Sequence, residues 1–351
     1  MRTKIPTLLF ALMATACNML PDGYTGASKK YDKNGNSIFH RVEGIEMSMG
    51  EISVDGEIEK PAKINLNQFY KREIFVKEAY PKGADSLNFI GAYRYRGYSL
   101  FDILNPFLLK KKNAEVFRPE IDVYVIIEND RGQKVAFSWG EIFHTNMPHQ
   151  IIIATESAPV KPYKKEVEYP VSKEWKVVSG SDFFNHRTLE NPVKITVKSF
   201  DKKEYSIVKG MKPTYSPKVD VFVGNEKQME IEQVPQSDNN RRYRSNFYGM
   251  GMGYHDTPIF QGIELESAIS SVTSILDESW HRSGLVCFVG VDGYRAVYSY
   301  SELFNRLDQL QAILSIPNNF DEVGYYRIYH PMIFWADYSV KGLMEIYIFK
   351  E

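Results

Sequence analysis

The side chains best suited to recognition chemistry lie close together in this sequence, between residues 241 and 262. RRYR (241–244) supplies planar guanidinium groups, which suit carboxylate or phosphate oxygens. FYGMGMGYHDTPIFQG (247–262) interleaves four glycines with aromatic and methionine side chains, and such glycines let the backbone approach a ligand closely. The pattern predicts a recognition surface formed by Arg241, Arg242, Tyr243, Arg244, Phe247, Tyr248, Met250, Met252, Tyr254, His255 and Asp256.

The alternative for this glycine-rich segment is an ordinary mobile surface loop. Exposed aromatic and methionine side chains are costly unless they contact something, so residues 241–260 remain the best candidate for recognition. His255 and Asp256 could coordinate a metal or hydrogen-bond a polar ligand. Both uses imply a ligand bound at this segment.

Metal and catalytic motifs give a weaker signal. The candidate metal ligands are His255, Glu278 and His281, of which the last two would share a helical face at positions i and i+3. The sequence contains no HExxH motif and no paired CxxC motifs. It also lacks a Gly-x-Ser-x-Gly elbow, a phosphate loop and a dinucleotide fingerprint, so it indicates no catalytic residue.

The amino-terminal residues predict export and lipid anchoring. Arg2 and Lys4 precede an apolar stretch that ends in Ala14-Thr15-Ala16, which is typical of a signal peptide of residues 1–16. Cys17 then occupies the position of the lipidated cysteine of a bacterial lipobox. Residues 17–44 are rich in Gly, Asn, Ser and Lys and predict a flexible tether. We therefore expect a lipid-anchored protein of the cell envelope, on the outer membrane.

Composition narrows the classes of partner. The formal net charge is −1, so no overall field favours nucleic acid, and we expect none as a partner. Cys287 is the second of two cysteines, so lipidation of Cys17 would leave no intramolecular disulfide.

The chain repeats itself at a spacing of 161 residues. This shift aligns Gly132 with Gly293, Ser138 with Ser299 and Glu141 with Glu302, without a gap. The match continues from IIIA (151–154) to AILS (312–315). At a shift of 165, YRGYSLFDIL (95–104) resembles FQGIELESAI (260–269), each with a predicted turn glycine before a helix. The repeat predicts two tandem domains, residues 45–200 and 201–351.

Each predicted domain is rich in strands. Seven runs of the first domain, such as DVYVIIEN (122–129), are rich in Val, Ile, Phe or Tyr and are bounded by turn residues. Helices are predicted at 65–71, 99–107 and 301–314, with Asn65, Ser99 and Ser301 as caps. The predicted fold class is α+β, mainly β, with twisted mixed sheets.

This order of elements resembles the molybdopterin-binding domain of the sulfite oxidase superfamily. The family's Gly-x-x-Leu-x-x-[Leu/Ile]-Leu and Asp-Gly-Tyr elements are matched by Gly97, Leu100, Ile103, Leu104 and by Asp292, Gly293, Tyr294. The likeness covers most of the first domain and the latter half of the second. It implies two copies of a mixed-sheet domain of this type.

The resemblance also implies a cysteine thiolate that ligates molybdenum, and this chain departs from the family there. The ligand position falls at or beside Lys77, and the corresponding stretch 230–244 has no cysteine either. Cys287 stands between apolar residues, which is typical of a small buried hydrophobe. Without the soft sulfur ligand the metal loses its anchor, so we expect no cofactor.

These observations favour a non-catalytic envelope lipoprotein that acts as a binding or assembly subunit, with an outer-membrane protein or envelope complex as its partner. One rival is a molybdopterin-dependent envelope oxidoreductase with atypical ligands. The other is a lipoprotein that captures a small ligand or a metal, in which His255, Asp256 and His281 would converge.

Overall fold

The computed structural model describes residues 37–83, 86–162, 164–232, 239–316 and 326–351. Strands far outnumber helices in this part of the chain, so the expected mainly β fold class is confirmed. None of the helices described there is long and apolar enough to cross a bilayer. The predicted signal peptide, Cys17 and the predicted tether up to residue 36 lie outside the described residues.

The first half of the chain contains a long series of strands and two one-turn α-helices. The strands are β1 (Ile45–Glu46), β2 (Ile52–Gly56), β3 (Ala62–Ile64), β4 (Lys71–Pro81), β5 (Leu87–Ser99), β6 (Val123–Asn129), β7 (Lys134–Ser138), β8 (Ile151–Pro159), β9 (Lys176–Ser179), β10 (Leu189–Glu190) and β11 (Pro192–Ser199). The helices are α1 (Leu100–Leu104) and α2 (Trp139–Phe143), with 3₁₀ turns at Ile38–His40, Leu66–Gln68 and Glu120–Asp122.

The second half is also rich in strands and contains short helices. Its strands are β12 (Val219–Val223), β13 (Glu226–Ile231), β14 (Asn240–Arg244), β15 (Phe247–Gly249), β16 (Gly253–Asp256), β17 (Ile259–Glu264), β18 (Gly284–Gly290), β19 (Arg295–Ser299), β20 (Ile313–Ser315), β21 (Arg327–Tyr329) and β22 (Leu343–Lys350). Its helices are α3 (Leu265–Ala268), α4 (Ser270–Thr273), α5 (Ser279–Ser283) and α6 (Tyr300–Phe304), with a 3₁₀ turn at Ala336–Tyr338.

Each half contains two sheets, and the strand order of one half recurs in the other. The inner sheets have the orders β3-β2-β11-β6-β7 and β13-β12-β22-β18-β19. In both, the second and third strands are parallel and the other neighbours are antiparallel. The outer sheets, β10-β9-β8-β5-β4 and β14-β17-β20-β21, are antiparallel throughout. In the part of the chain that the structure describes, the hairpin β15–β16 forms one further, two-stranded sheet.

Strands β6 and β18 of the inner sheets are apolar on both faces because both faces are buried. In β6, Val125 and Ile127 enter the core of the first half, whereas Tyr124 and Ile126 enter a cluster shared with the second half. In β18, Val286 and Phe288 enter the core of the second half, whereas Leu285 and Cys287 enter that shared cluster. Alternate side chains of a strand point to opposite faces. The two inner sheets therefore pack face to face, with an outer sheet behind each.

Contacts between the halves are reciprocal. Phe183, after β9, donates its backbone N–H to the carbonyl of Asn305, which follows α6 (2.9 Å). Phe334, after β21, donates in the same way to His144, which follows α2 (2.9 Å). Because the same places in each half meet in both directions, the halves are related by an approximate two-fold axis.

The aligned hairpins of the two halves share local geometry. Gly132 and Gly293 both adopt positive φ values, 74° and 79°, which a side chain would disfavour. Ser138 and Ser299 each cap the following helix, and Glu141 and Glu302 complete a capping box in each case. The aligned residues therefore occupy equivalent structural positions.

The structure corrects several predicted elements. Gly97 and Gly262 lie within strands β5 and β17 and not in turns. A Cβ at Gly97 would lie 2.0 Å from the carbonyl oxygen of Ile153, and one at Gly262 would lie 1.9 Å from that of Leu314. Glycine is required at both positions because the neighbouring strand passes so close.

The helix predicted for residues 301–314 is also wrong. Only Tyr300–Phe304 is helical, and its cap is Ser299 rather than Ser301. The helix predicted at 65–71 shortens to a 3₁₀ turn, although Asn65 caps it as expected. Ser99 caps α1 as predicted, and α1 ends at Leu104. Helix α6 ends early because Asn305 contacts the other half.

The last residues of the predicted tether contact the first half. Phe39 packs on Phe75 of β4 with ring centroids 4.1 Å apart, and the His40 ring lies 2.9 Å from the Glu73 carboxylate. Arg94 donates to the carbonyl oxygen of Val42. Residues 39–42 therefore belong to the packed structure.

Candidate functional site

The basic stretch RRYR forms β14, the edge strand of the outer sheet of the second half. β14 pairs with β17 on one side only. Arg241, Arg242 and Arg244 are exposed, and Arg241 forms an ion pair with Glu264 at 2.7 Å. Charged side chains on an edge strand discourage pairing with further strands. This strand is therefore a solvated basic edge.

Tyr243 does not belong to that exposed edge. It is partly buried, its ring packs on Tyr329 with centroids 6.0 Å apart, and its hydroxyl donates to the carbonyl of Gln311 at 3.1 Å. Phe247 likewise packs inward against Phe260 at 5.3 Å. Tyr243 and Phe247 were predicted to belong to the recognition surface, but their side chains pack inward and anchor the segment.

The glycine-rich segment forms the hairpin β15–β16. Tyr248 pairs with Tyr254, and Gly249 pairs with Gly253, whose φ of 74° forms the turn. A Cβ on Gly249 would lie 2.8 Å from Nε2 of His255, so the two strands approach closely only without a side chain there. The glycines thus serve a tight hairpin.

The tip and one face of this hairpin are exposed and apolar. Met252 is 82% exposed and Tyr254 is 60% exposed, and Tyr248 and Met250 are exposed as well. Tyr248 contacts an aromatic pair of the following segment: its ring lies 5.9 Å from Phe334 and 5.7 Å from Trp335. We define the hairpin surface as Tyr248, Met250, Met252, Tyr254, Phe334 and Trp335.

A backbone contact fixes the hairpin tip to the rest of the second half. The N–H of Met250 donates to the Asp337 carboxylate at 2.7 Å. Asp337 belongs to the 3₁₀ turn that follows Trp335. The apolar residues at the tip are therefore held at a fixed position relative to Phe334 and Trp335.

Two cavities flank the hairpin. The first, of about 340 Å³, has a largely aromatic wall that includes Phe247, Tyr248, Tyr298 and Trp335. The second, of about 480 Å³, lies on the other side of Phe247 and is lined by more charged residues, among them Arg327 and Lys341. Both volumes fall within the range of small-molecule sites.

His255 lines the second cavity, but the other metal candidates lie elsewhere. His281 in α5 stacks on His186 of the first half, with ring centroids 5.1 Å apart. Burial lowers the pKa of His281 to about 4, with further lowering by His186 and Arg187. Glu278 is the residue before α5. Among the residues that the structure describes, no three His, Cys, Asp or Glu side chains form a group that could hold a metal.

The resemblance to the molybdopterin-binding domain put the position of the missing ligand cysteine at or beside Lys77. Lys77 is exposed on β4, opposite Ala92 of β5. Cys287 is fully buried between the inner sheets, as expected from its apolar neighbours, and burial raises the pKa of its thiol. A thiol in this environment is inert.

Sequence reasoning missed the contributors from the 327–341 segment. Phe334, Trp335, Arg327 and Lys341 complete the surface and the second cavity, although they lie more than 70 residues after the hairpin. The adjacent Phe334 and Trp335 in IFWADY (333–338) were the one available signal. Arg327 could not be recognised from the sequence as a residue of the cavity, because its role depends on whether a carboxylate lies near it in the folded structure.

No protein-family model matches this chain, and no curated protein matches its sequence significantly.

Proposed function

We propose that this protein is a non-catalytic binding subunit of the bacterial cell envelope, anchored through Cys17, which holds an envelope protein against the hairpin surface. The observation that carries this proposal is the exposed apolar side chains of Met252 and Tyr254 beside the aromatic pair Phe334 and Trp335. Aromatic and methionine side chains are enriched at protein interfaces.

The charge around the hairpin surface supports a protein partner. Arg242 and Arg244 are exposed on the adjacent edge strand, so an apolar centre is bordered by cations. An interface with an apolar core and a polar rim has this composition. The partner surface would then be apolar with acidic residues at its edge.

The fold supports the further proposal that the chain is a duplicated scaffold similar to the sulfite oxidase molybdopterin domain. The shared strand order and the reciprocal contacts favour two copies of one unit. The inaccessible thiol of Cys287 favours a scaffold without the metal ligand. A lipid anchor would place the scaffold on the same surface as its partner, which raises the effective concentration of each for the other.

A paired variant tests the binding surface. Met252→Ser combined with Tyr254→Ser removes two exposed apolar side chains, so we expect the natural partner to be lost from detergent extracts at unchanged protein level. Tyr70→Ser is the control, because Tyr70 is 82% exposed in the first half. Retention of the same partner by the double variant would refute the assignment. Stoichiometric molybdenum with pterin in the natural protein would instead reinstate the oxidoreductase.

A further inference from the structure

The second cavity contains a cation that the described part of the chain leaves unpaired. Arg327 lies in β21 and lines this cavity, where its guanidinium is 5.5 Å from the ring centre of Phe247 and 5.8 Å from that of Phe260. Within the described ranges it forms no ion pair and no side-chain hydrogen bond. Desolvation lowers its pKa to about 10, as expected for a cation without a neighbouring carboxylate.

The three fully buried arginines of the described residues are paired. Arg94 lies 3.2 Å from Glu73, Arg187 lies 2.8 Å from Glu141, and Arg295 lies 3.1 Å from Asp122. Leaving a partly buried charge without a partner is unfavourable, and proteins normally compensate it. The fold meets this requirement at these three positions, whereas Arg327, which is half-buried and lines a cavity, has no carboxylate partner among the described residues.

A second cation faces the same space. Lys341 is opposite Arg327 in an isolated antiparallel bridge, and both side chains line the cavity. In the described part of the structure Lys341 has no ion pair either. Like charges directly opposite each other on neighbouring strands destabilise a fold. An anion between Arg327 and Lys341 would remove both penalties.

The remaining lining limits the charge of that anion. Asp337 and Asp292 also line the cavity, and they accept hydrogen bonds from the backbone N–H groups of Met250 (2.7 Å) and Tyr294 (3.1 Å). Two carboxylates would repel a dianion such as phosphate, whereas a monoanion meets two cations nearby. The carboxylates would also accept hydrogen bonds from hydroxyl or amino groups of the ligand.

We propose that this cavity binds a small polar ligand through its carboxylate group, with Arg327 as the anchor and Lys341 as the second cation. Guanidinium donors match a carboxylate in a bidentate geometry. Phe247 and Tyr294 provide apolar walls, and the volume of about 480 Å³ suits a dipeptide or an acidic monosaccharide. This binding is distinct from the proposed protein partner, because Met252 alone of the residues of the hairpin surface lines the cavity.

The test is calorimetric titration of the full chain with glycyl-glycine and with glucuronate, and with inorganic phosphate as a third probe. Binding of glycyl-glycine alone would indicate a peptide ligand, and binding of glucuronate alone would indicate an acidic sugar. We expect Arg327→Gln to weaken that binding at least about 30-fold, since a charged hydrogen-bonded pair in a cavity is lost. Lys341→Gln should weaken it less. Arg131→Gln, which removes an exposed arginine of the first half, should have no effect.

Thermal unfolding without ligand provides an independent measure. Replacing a structural arginine lowers the melting temperature, whereas replacing an uncompensated one leaves it unchanged or raises it. We expect Arg327→Gln to keep or raise the melting temperature and to lose the increase that the bound probe gives the natural chain. A lower melting temperature without ligand would contradict an uncompensated arginine and overturn the proposal.

Two further outcomes would overturn the proposal. One is that neither carboxylate binds at about 10 mM, or that only phosphate binds. The other is equal affinity of Arg327→Gln and the natural chain. Tyr254→Ser alone should bind the probe normally, because Tyr254 does not line the cavity whereas Met252 does, so failure of the cavity proposal is distinguishable from failure of the partner proposal.

Discussion

Glu302 is a buried carboxylate at the contact between the two halves. It accepts a hydrogen bond from the hydroxyl of Ser138 in the other half at 2.7 Å. Glu141, its aligned counterpart, is paired with Arg187, whereas Glu302 forms no ion pair with any other residue that the structure describes. Burial and repulsion from Glu141 raise the pKa of Glu302 to about 8. The repeat is therefore symmetric in position and asymmetric in charge.

A pH dependence of stability follows from Glu302. Its pKa is higher in the folded than in the unfolded chain, so its contribution is present near pH 4 and is lost as the pH rises through about 8. We expect the unfolding free energy of the natural chain, minus that of Glu302→Gln, to fall by on the order of 2–3 kcal/mol between pH 5 and pH 8. Urea unfolding at both pH values measures this difference.

Subtracting the unfolding free energy of the variant from that of the natural chain cancels the contributions of the other titrating groups. Burial lowers the pKa of His330 to about 3, which gives a dependence of the opposite sign in both chains. A difference that stays constant from pH 5 to pH 8 would show that Glu302 titrates normally.

At the level of single residues, the sequence predicted which segment has exposed apolar side chains. It did not predict which side chains of that segment point inward. Met252 and Tyr254 are exposed as expected, but Tyr243 and Phe247 point inward. The alternation of a strand assigns neighbouring side chains to opposite faces, and the many glycines concealed the strands. Whether a carboxylate lies beside Arg327 is a tertiary property that local sequence does not encode, and among the described residues none forms an ion pair with it.

Among the elements, strands were predicted well and helix lengths were not. The alternating apolar runs gave β2, β6 and β11 correctly because burial of one or both faces dictates the pattern. The leucine spacing in 301–314 suggested one helix. Asn305 instead exchanges hydrogen bonds with the backbone of Phe184 in the other half, which ends α6. Such a long-range contact overrides local propensity.

The glycines in β5 and β17 give a prediction at this scale. Gly262→Ala would place a Cβ 1.9 Å from the carbonyl oxygen of Leu314, so β17 and β20 must separate. We expect a loss of about 2–4 kcal/mol in unfolding free energy, measured in urea, and a similar loss for Gly97→Ala.

Gly251→Ala is the matched control for these variants. No atom lies within 4 Å of a Cβ at Gly251, in the hairpin turn, so its cost should stay within about 0.5 kcal/mol. Equal stability of Gly262→Ala and Gly251→Ala would show that the close strand approach is absent.

The whole molecule is a four-layer arrangement whose halves share a core. Tyr124 of β6 packs on Phe349 of β22 at 5.7 Å, and its hydroxyl donates to Glu351 at 2.6 Å. This shared burial makes the pair of halves one rigid support. The hairpin β15–β16 occurs in the second half alone, while the first half continues β4 and β5 as one long hairpin. The two halves of similar strand order thus form the scaffold, and the hairpin that distinguishes them carries the proposed binding surface.

Site-specific photo-crosslinking in intact cells tests that surface most directly. A photoreactive residue replaces Tyr254 in one strain and Tyr70, which is even more exposed and lies in the first half, in another. The account predicts one dominant crosslink to an envelope protein from position 254 and none to that protein from position 70. The same crosslinks from both positions, or none from position 254, would contradict a binding surface at the hairpin.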